Sequence, residues 1–327
     1  MFGHLDEAAA QARHLAATRS AAQGSVFRRR DLHEWGIDDS LLQALFRRGD
    51  WVRLRHGVYA DSVIAQSADP VVRHRLDLAA AIAAAQEPTF AVGPSAALVY
   101  GLPLSYVVPD AVYLVRDTRQ DLRSLQRVSR HPLTIPTMHV TSHSGVGANS
   151  LVVDGIATVS AAIAATTTAP HVGFTRKVGL FDAVLWNENA TVDDIRAALD
   201  DWPKLRDRAK SLAALELARS GAQTYLETVS RLQLTRVGLP EPQLQVPFYD
   251  DAGLIGRVDM YWQGMGVVGE ADGAIKYTSR DDLIDEKRRE DRLRALGLHV
   301  VRWMWDEIMT TPEAVAMRIR SAARRVA

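Results

Sequence analysis

The sequence predicts an α+β protein of several domains, and three observations carry that prediction. A chain of 327 residues with 47% hydrophobic residues is long enough for two or three packed cores. Its N-terminal part reads as three helices followed by two short β-rich pieces. Its C-terminal part reads as helix, strand, strand, helix, strand, and a mixed α/β stretch lies between the two. The expected domains are residues 1–62, 63–220 and 221–327.

Glu7 to Ala22 is alanine-rich and closed by Gly24, and Arg30 to Trp35 is a short helix ended by Gly36. Asp39 or Ser40 caps a third helix, Leu41 to Arg48, which Gly49 stops. Trp51 to Arg55 and Val58 to Ala60 flank His56 and Gly57 as a two-stranded wing, so this segment describes a winged helix-turn-helix. On the third helix Leu42, Leu45 and Phe46 share the expected buried face. Ser40, Gln43 and Arg47 are left on the opposite face, where their groups suit base edges and phosphates. Arg28, Arg29, Arg48, Arg53 and Arg55 are suited to follow a DNA backbone. Asp31, Glu34, Asp38, Asp39 and Asp50 dilute that charge, so a winged helix used for protein contacts is the alternative. The run RRGDWVRLRHGVYA, Arg47 to Ala60, resembles the N-terminal domain of the AbiEi family of abortive-infection antitoxins. The resemblance implies DNA binding, often autoregulatory, and a cognate toxin or defence-system partner.

In the middle, Val71 to Ala85 and Ser95 to Gly101 read as helices, and Ala111 to Arg116, Met138 to His143 and Leu151 to Val159 as strands. Asp154-Gly155 marks a tight hairpin. Four helices follow, Ala161 to Thr168, Gly173 to Leu185, Thr191 to Leu199 and Arg206 to Arg219. This part names no chemistry: it has no phosphate-cradling glycine loop, no HExxH and no nucleophile elbow. His139 and His143 on one strand lie about 13 Å apart, too far to share a metal ion.

Tyr225 to Val237 has helical periodicity through Leu226, Val229, Leu232 and Leu234, and Gly238, Leu239 and Pro240 end it. It projects Glu227 and Arg231 one turn apart, a spacing that also suits an ordinary surface salt bridge. After a further strand at Gln243 to Tyr249, the β-rich runs Leu254 to Trp262 and Val267 to Asp272 form a hairpin through Gln263 to Gly266. A turn centred between Gly264 and Met265 sets Asp259 opposite Glu270. Like charges so placed, roughly 4.5–5.5 Å apart between Cβ atoms, destabilise a sheet unless a positive group lies between them. The pleat returns Asp272 to the face of Glu270, and three carboxylates there suit a hard cation, Mg²⁺ or Mn²⁺. The alternative is a hairpin whose acids simply face water. Asp282 to Leu296 is a charged helix stopped by Gly297, and His299 to Met304 is a last strand.

The residues Glu227-x-x-x-Arg231, GLPEPQLQ from Gly238, RVD from Arg257, VVGEADGAIKY from Val267, EKRRED from Glu286 and GLHVVRW from Gly297 carry a second resemblance. Together they resemble the restriction-endonuclease-like domains related to the very-short-patch repair endonuclease, a branch of the PD-(D/E)XK superfamily. That resemblance implies an αβββαβ core with an acid on the first helix, an aspartate on the second strand and Glu-x-Lys on the third. These map to Glu227, Asp259 and Glu270, with Asp272 in the lysine position and Lys276 as the nearest substitute. It further implies metal-assisted phosphodiester hydrolysis, with the ion on Asp259, Glu270 and Asp272 and Lys276 holding the attacking water.

Bulk properties bound these readings. With 39 basic and 39 acidic residues the chain exerts no global pull on nucleic acid, so binding must come from local patches. The absence of cysteine excludes disulfides and thiolate metal sites and fits a reducing cytoplasm. No apolar run approaches the roughly 18 residues that span a bilayer, and MFGHLDEAAA is not a basic leader with an apolar core. The expectation is a soluble cytoplasmic protein with one of two functions: a Mg²⁺- or Mn²⁺-dependent DNA endonuclease, or an antitoxin-type transcriptional repressor with an inactive nuclease fold.

Overall fold

The computed structural model describes residues 2–67, 69–104, 108–109, 111–118, 124–126, 138–272 and 280–323. The chain forms two compact units, residues 1–172 with 193–211, and residues 173–192 with 212–327. Among the described residues the architecture is mixed α+β with sheets of three, six and four strands. No helix among them is long and apolar enough to cross a membrane.

The first unit opens with α1 (Phe2–Ser20), β1 (Phe27–Arg28), α2 (Arg29–Glu34), α3 (Asp39–Arg48), β2 (Trp51–Arg55) and β3 (Val58–Asp61). The strands pair antiparallel in the order β1-β3-β2. Ala9, Ala12 and Ala16 give α1 a face of small side chains, which packs on Leu32, Leu42, Leu45, Phe27 and Trp51. The cap of α3 is Asp38, whose carboxylate accepts the Leu41 N–H at 2.8 Å, rather than Asp39 or Ser40. Phe46, expected inside, is 41% exposed. It lies about 100° around the helix from Leu45, and the side facing the core is already filled by Leu42 and Leu45.

The chain continues through α4 (Ser62–Ala65), α5 (Pro70–Ala83), β4 (Thr89–Ala91), α6 (Gly93–Val99), β5 (Val112–Arg116), β6 (Ser124–Gln126), β7 (Met138–Ser142), β8 (Ser150–Val153), β9 (Ile156–Val159) and α7 (Ala161–Thr168). Their sheet order is β6-β7-β5-β4-β9-β8. The β8–β9 hairpin turns on Asp154 and Gly155, both at positive φ (47° and 76°), as a two-residue primed turn requires. Gly155 abuts the turn that ends the α1 segment: a Cβ there would lie 2.3 Å from the Gly24 nitrogen. A Cβ on Gly24 would in turn meet that of Ala79 at 2.7 Å. These two glycines let backbone touch backbone between the first helices and the six-stranded sheet.

Next come α8 (Phe174–Trp186), α9 (Val192–Asp201), α10 (Arg208–Glu216), α11 (Tyr225–Arg236), β10 (Gln243–Asp250), β11 (Gly253–Trp262), β12 (Val267–Asp272), α12 (Arg280–Ala295), β13 (His299–Met304), α13 (Trp305–Thr310) and α14 (Pro312–Ala323). The second unit is built on the sheet β10-β11-β12-β13, antiparallel except for the parallel β12–β13 pair. One face packs Met260, Trp262, Val267, Ala271 and Trp303 against α11, α13 and α14. The other packs Val258, Val268 and Ile255 against Leu293 of α12. Gly269 admits two indoles, since a Cβ would fall 2.5 Å from Trp303 and 2.8 Å from Trp262.

The expected hairpin register holds for Met260 opposite Gly269, Tyr261 opposite Val268 and Trp262 opposite Val267, but the ladder stops short of the expected Asp259–Glu270 pair. One step further the pleat changes phase. Leu244 and Met260 face the first core, yet Val246 and Val258, two residues away on each strand, face the second. Gln245 and Asp259 occupy the turnover, and Gln245 takes φ 52°, a left-handed conformation that costs a non-glycine residue about 1–3 kcal/mol. Asp259 replaces the interrupted ladder: its Oδ2 accepts the Ala271 N–H at 2.9 Å.

Candidate DNA interface and carboxylate cleft

The eight residues expected to meet DNA fall into two groups. Five have internal partners. Arg28 holds Asp31 through Nε (3.2 and 3.1 Å) and Nη2 (3.0 Å). Arg29 pairs with Asp39 (Nε to Oδ1, 2.7 Å), which also meets His33 Nε2 at 2.9 Å. Ser40 donates to Asp38 at 2.6 Å, and Arg48 meets Asp6 at 2.8 Å and Asp50 at 3.0 Å. Arg55 turns inward, donating from Nη2 to the Met138 sulfur at 3.2 Å, and burial pushes its pKa down while the charge of Asp77 opposes. It is no candidate for a DNA phosphate in this arrangement. Met138 opens β7, and although the sequence predicts that strand, nothing local to Arg55 signals a partner so far along the chain.

Gln43, Arg47 and Arg53 make up the second group, exposed at the surface. Gln43 and Arg47 lie one turn apart on α3, and Arg47 Nε donates only to the Gln43 carbonyl, at 3.3 Å. Among the described residues no acid holds Gln43, Arg47 or Arg53. Their donors are available to an outside acceptor.

In the second unit a cleft of about 1040 Å³ lies on the α12 side of the sheet, lined by Gln245, Asp259, Glu270, Asp272, Arg257 and Arg289 among others. The sequence-predicted acids Asp259, Glu270 and Asp272 therefore converge on one place. Glu227 joins them through Gln245, whose Nε2 donates to Glu227 Oε2 at 3.0 Å and to Asp259 Oδ1 at 3.4 Å. The i, i+4 pair of Glu227 with Arg231 does not form. Glu227 instead accepts from the Gln223 N–H (2.9 Å) and the Thr224 hydroxyl (2.9 Å). Arg231 is drawn to the buried Asp182 (3.2 Å) and to Glu241 (3.3 Å). Burial pushes the Glu227 pKa up, with the charge of Asp259 adding to it. Burial likewise raises Glu270 to about 7, opposed by Arg289 and reinforced by Asp259.

Glu270 is 6% exposed, and its Oε1 accepts from Arg289 Nη2 at 2.8 Å. Lys276, the expected water-holding lysine, lies outside the described residues. Among the described residues no group of three His, Asp or Glu side chains is disposed to hold a metal ion. The acids share a cleft, but Asp259 is committed to Ala271 N–H and Gln245, and Glu270 to a guanidinium. As they stand they do not fit a divalent cation. Gln245 and Arg289 escaped sequence reading although both lie in the motifs GLPEPQLQ and EKRRED. Neither a left-handed glutamine nor the inward member of a run of arginines has a local signal.

Similarity to a known family falls within the first unit. A family described as "Transcriptional regulator, AbiEi antitoxin" matches residues 16–60, the stretch from late α1 through β3. Two proteins of Mycobacterium tuberculosis strains, named Uncharacterized protein MT2308 and Uncharacterized protein Rv2248, are each 27% identical over 184 residues, covering 56% of this chain and 68% of the relative. Over the segment that carries Gln43, Arg47 and Arg53, the chain is thus similar to transcriptional regulators of the AbiEi antitoxin kind.

Proposed function

We propose that this protein is a DNA-binding transcriptional regulator of the antitoxin type. The observation that carries this reading is the exposed pair Gln43 and Arg47 on α3, inside the segment similar to AbiEi regulators and beside Arg53 on β2. On this reading residues up to Asp61 are a winged helix-turn-helix, α3 is the recognition helix, and β2–β3 is the wing. Gln43 reads a base edge, while Arg47 and Arg53 supply donors to base or phosphate. Arg29 and Arg48, whose pairs with Asp39 and Asp6 are exposed on both sides, exchange those acids for phosphates at modest cost, because surface ion pairs are weak. A regulator of this type acts in the cytoplasm, and a cognate toxin or other defence-system protein is the expected partner. The C-terminal unit is endonuclease-like in the order α11, β10, β11, β12, α12, β13, and its cleft is non-catalytic.

The test is fluorescence anisotropy with a duplex from the region upstream of the protein's own coding sequence. Arg47→Ala is expected to weaken binding about tenfold, roughly 1.4 kcal/mol, and Gln43→Ala to narrow the gap between specific and scrambled duplex. Equal binding of specific and scrambled DNA by wild type, or an unaffected Arg47→Ala, overturns the reading.

A second reading, DNA cleavage in the C-terminal cleft, is favoured by the convergence of Asp259, Glu270 and Asp272 around one cavity, with Glu227 tied to it through Gln245. Incubation of plasmid and short duplex with Mg²⁺ or Mn²⁺, comparing wild type with Asp259→Ala, decides it. Cleavage by wild type alone would establish an endonuclease; binding without cleavage leaves the regulator.

A further inference from the structure

The cation implied for the cleft and the residues that line it disagree, and one side chain accounts for the disagreement. Arg289, on the inner face of α12, donates from Nη2 to Glu270 Oε1 at 2.8 Å and to the Arg257 carbonyl at 2.9 Å. Its Nη1 donates to Glu286 Oε1 at 3.1 Å. Glu286 is bound in turn by Arg302, which also meets Glu290 at 3.3 Å, so the guanidinium is fixed from behind. The backbone has made room for it. Gly256 has φ 153°, and a Cβ there would lie 2.6 Å from Arg289 Nε. Any other residue at position 256 would displace the side chain or the strand.

We propose that Arg289 is the resident counter-ion of Glu270, standing where a divalent cation would otherwise be needed, so that the cleft does not take up such a cation. This deepens the reading of the cleft as non-catalytic. The physical case rests on competition for one carboxylate. An ion at Glu270 must either sit beside a fixed positive charge or expel a guanidinium that makes three hydrogen bonds. Mg²⁺ demands near-octahedral oxygen ligands at about 2.0–2.1 Å and is reluctant to shed water. Two of the expected carboxylates are committed elsewhere, Asp259 as a backbone acceptor and Glu227 to three donors of its own. The like-charge conflict of the hairpin is thus settled from within the protein. Asp259 and Glu270 are neighbours, and the positive group that relieves them is Arg289.

The experiment is calorimetric titration of the full chain with Mn²⁺, with thermal unfolding in parallel. Wild type is expected to show no saturable uptake in the millimolar range and no shift in its unfolding midpoint. Arg289→Met leaves Glu270 buried without a partner and is expected to gain Mn²⁺ binding, at least about tenfold above wild type. Arg289→Lys, which keeps the charge, is expected to stay refractory. Glu270→Gln combined with Arg289→Met removes both charges and is expected to fold and to lose the gained binding. Saturable Mn²⁺ uptake by wild type that disappears in Asp259→Asn overturns the proposal. So does an Arg289→Met variant that fails to fold when the double variant fails equally, since the role of Arg289 would then not lie with Glu270. Failure to fold of Arg289→Met alone, cured by Glu270→Gln or by Mn²⁺, supports it. Anisotropy of wild type and Arg47→Ala on DNA, measured in the same preparations, separates failure of this proposal from failure of the regulator reading.

Discussion

Arginine–carboxylate pairs occur in both units, but they are built for opposite ends. On the face that carries α3, Arg29 and Asp39 meet with side chains 59% and 45% exposed. In the second unit Arg231 and Asp182 meet with side chains 2% and 1% exposed. The exposed pair is screened by water and salt and can trade partners. The buried pair has shed its water, and Asp182 adds the Arg219 N–H at 2.7 Å and the Thr228 hydroxyl at 2.8 Å, while Arg231 adds the Leu217 carbonyl at 2.8 Å. Burial pushes the Asp182 pKa up and the Arg231 charge opposes it. Surface pairing thus keeps arginines within reach of an outside anion, whereas buried pairing removes them from any role but architecture. Counting basic residues along a sequence cannot separate the two.

The largest effect that would test this contrast is in the buried set. Arg231→Ala leaves Asp182 uncompensated inside the protein and is expected to destabilise the second unit by about 3–5 kcal/mol, read from the urea midpoint. A loss no larger than that of a surface variant would break the comparison. Gly269→Ala is expected to cost about 1–3 kcal/mol by pushing Trp262 and Trp303 apart, visible as a changed tryptophan emission spectrum along with lower stability.

Asp77 sharpens the contrast from an intermediate position. Burial raises its pKa from 3.8 to about 6, with Arg55 and Arg73 opposing. The folded pKa exceeds the unfolded one, so this group's contribution is fully present below 3.8 and is lost as the pH rises through about 6. Melting of wild type and Asp77→Asn between pH 4 and 7.5 should show a smaller pH-dependent decline in the variant; parallel curves would count against the assignment. The smallest effect belongs to the surface. Asp39→Asn releases Arg29 and is expected to leave stability unchanged while raising DNA affinity slightly, most clearly at low salt.

Much of the second unit was legible because its signals are local. Alternating β-rich runs, a four-residue glycine-bearing connection and a glycine after the charged helix placed the elements and the register of β11 on β12. The shared location of Asp259, Glu270 and Asp272 followed from that register. What the hairpin arithmetic could not contain was the phase change at Gln245 and Asp259, because nothing in a glutamine announces a positive φ. Nor could it choose Arg289 over Arg288 as the inward arginine, a matter of how α12 lies on the sheet. In the first unit the helices and β2–β3 were legible from caps and glycines. The two-residue β1 and three-residue β4 are too short to show a period, and the inward turn of Arg55 depends on a strand more than eighty residues away.

The contact between Gly24 and Gly155 has a practical corollary for anyone who would work with the α3 region by itself. A fragment ending at residue 62 looks self-sufficient, since α1, α2, α3 and the small sheet share a core. Cutting there would nonetheless strip the Gly24 turn of the hairpin and helix that press on it and leave the Arg55 guanidinium without the Met138 sulfur. Binding constants measured on such a piece would describe a loosened object. A graft of these first residues onto a foreign body would have to reproduce a surface with no side chain at one particular spot.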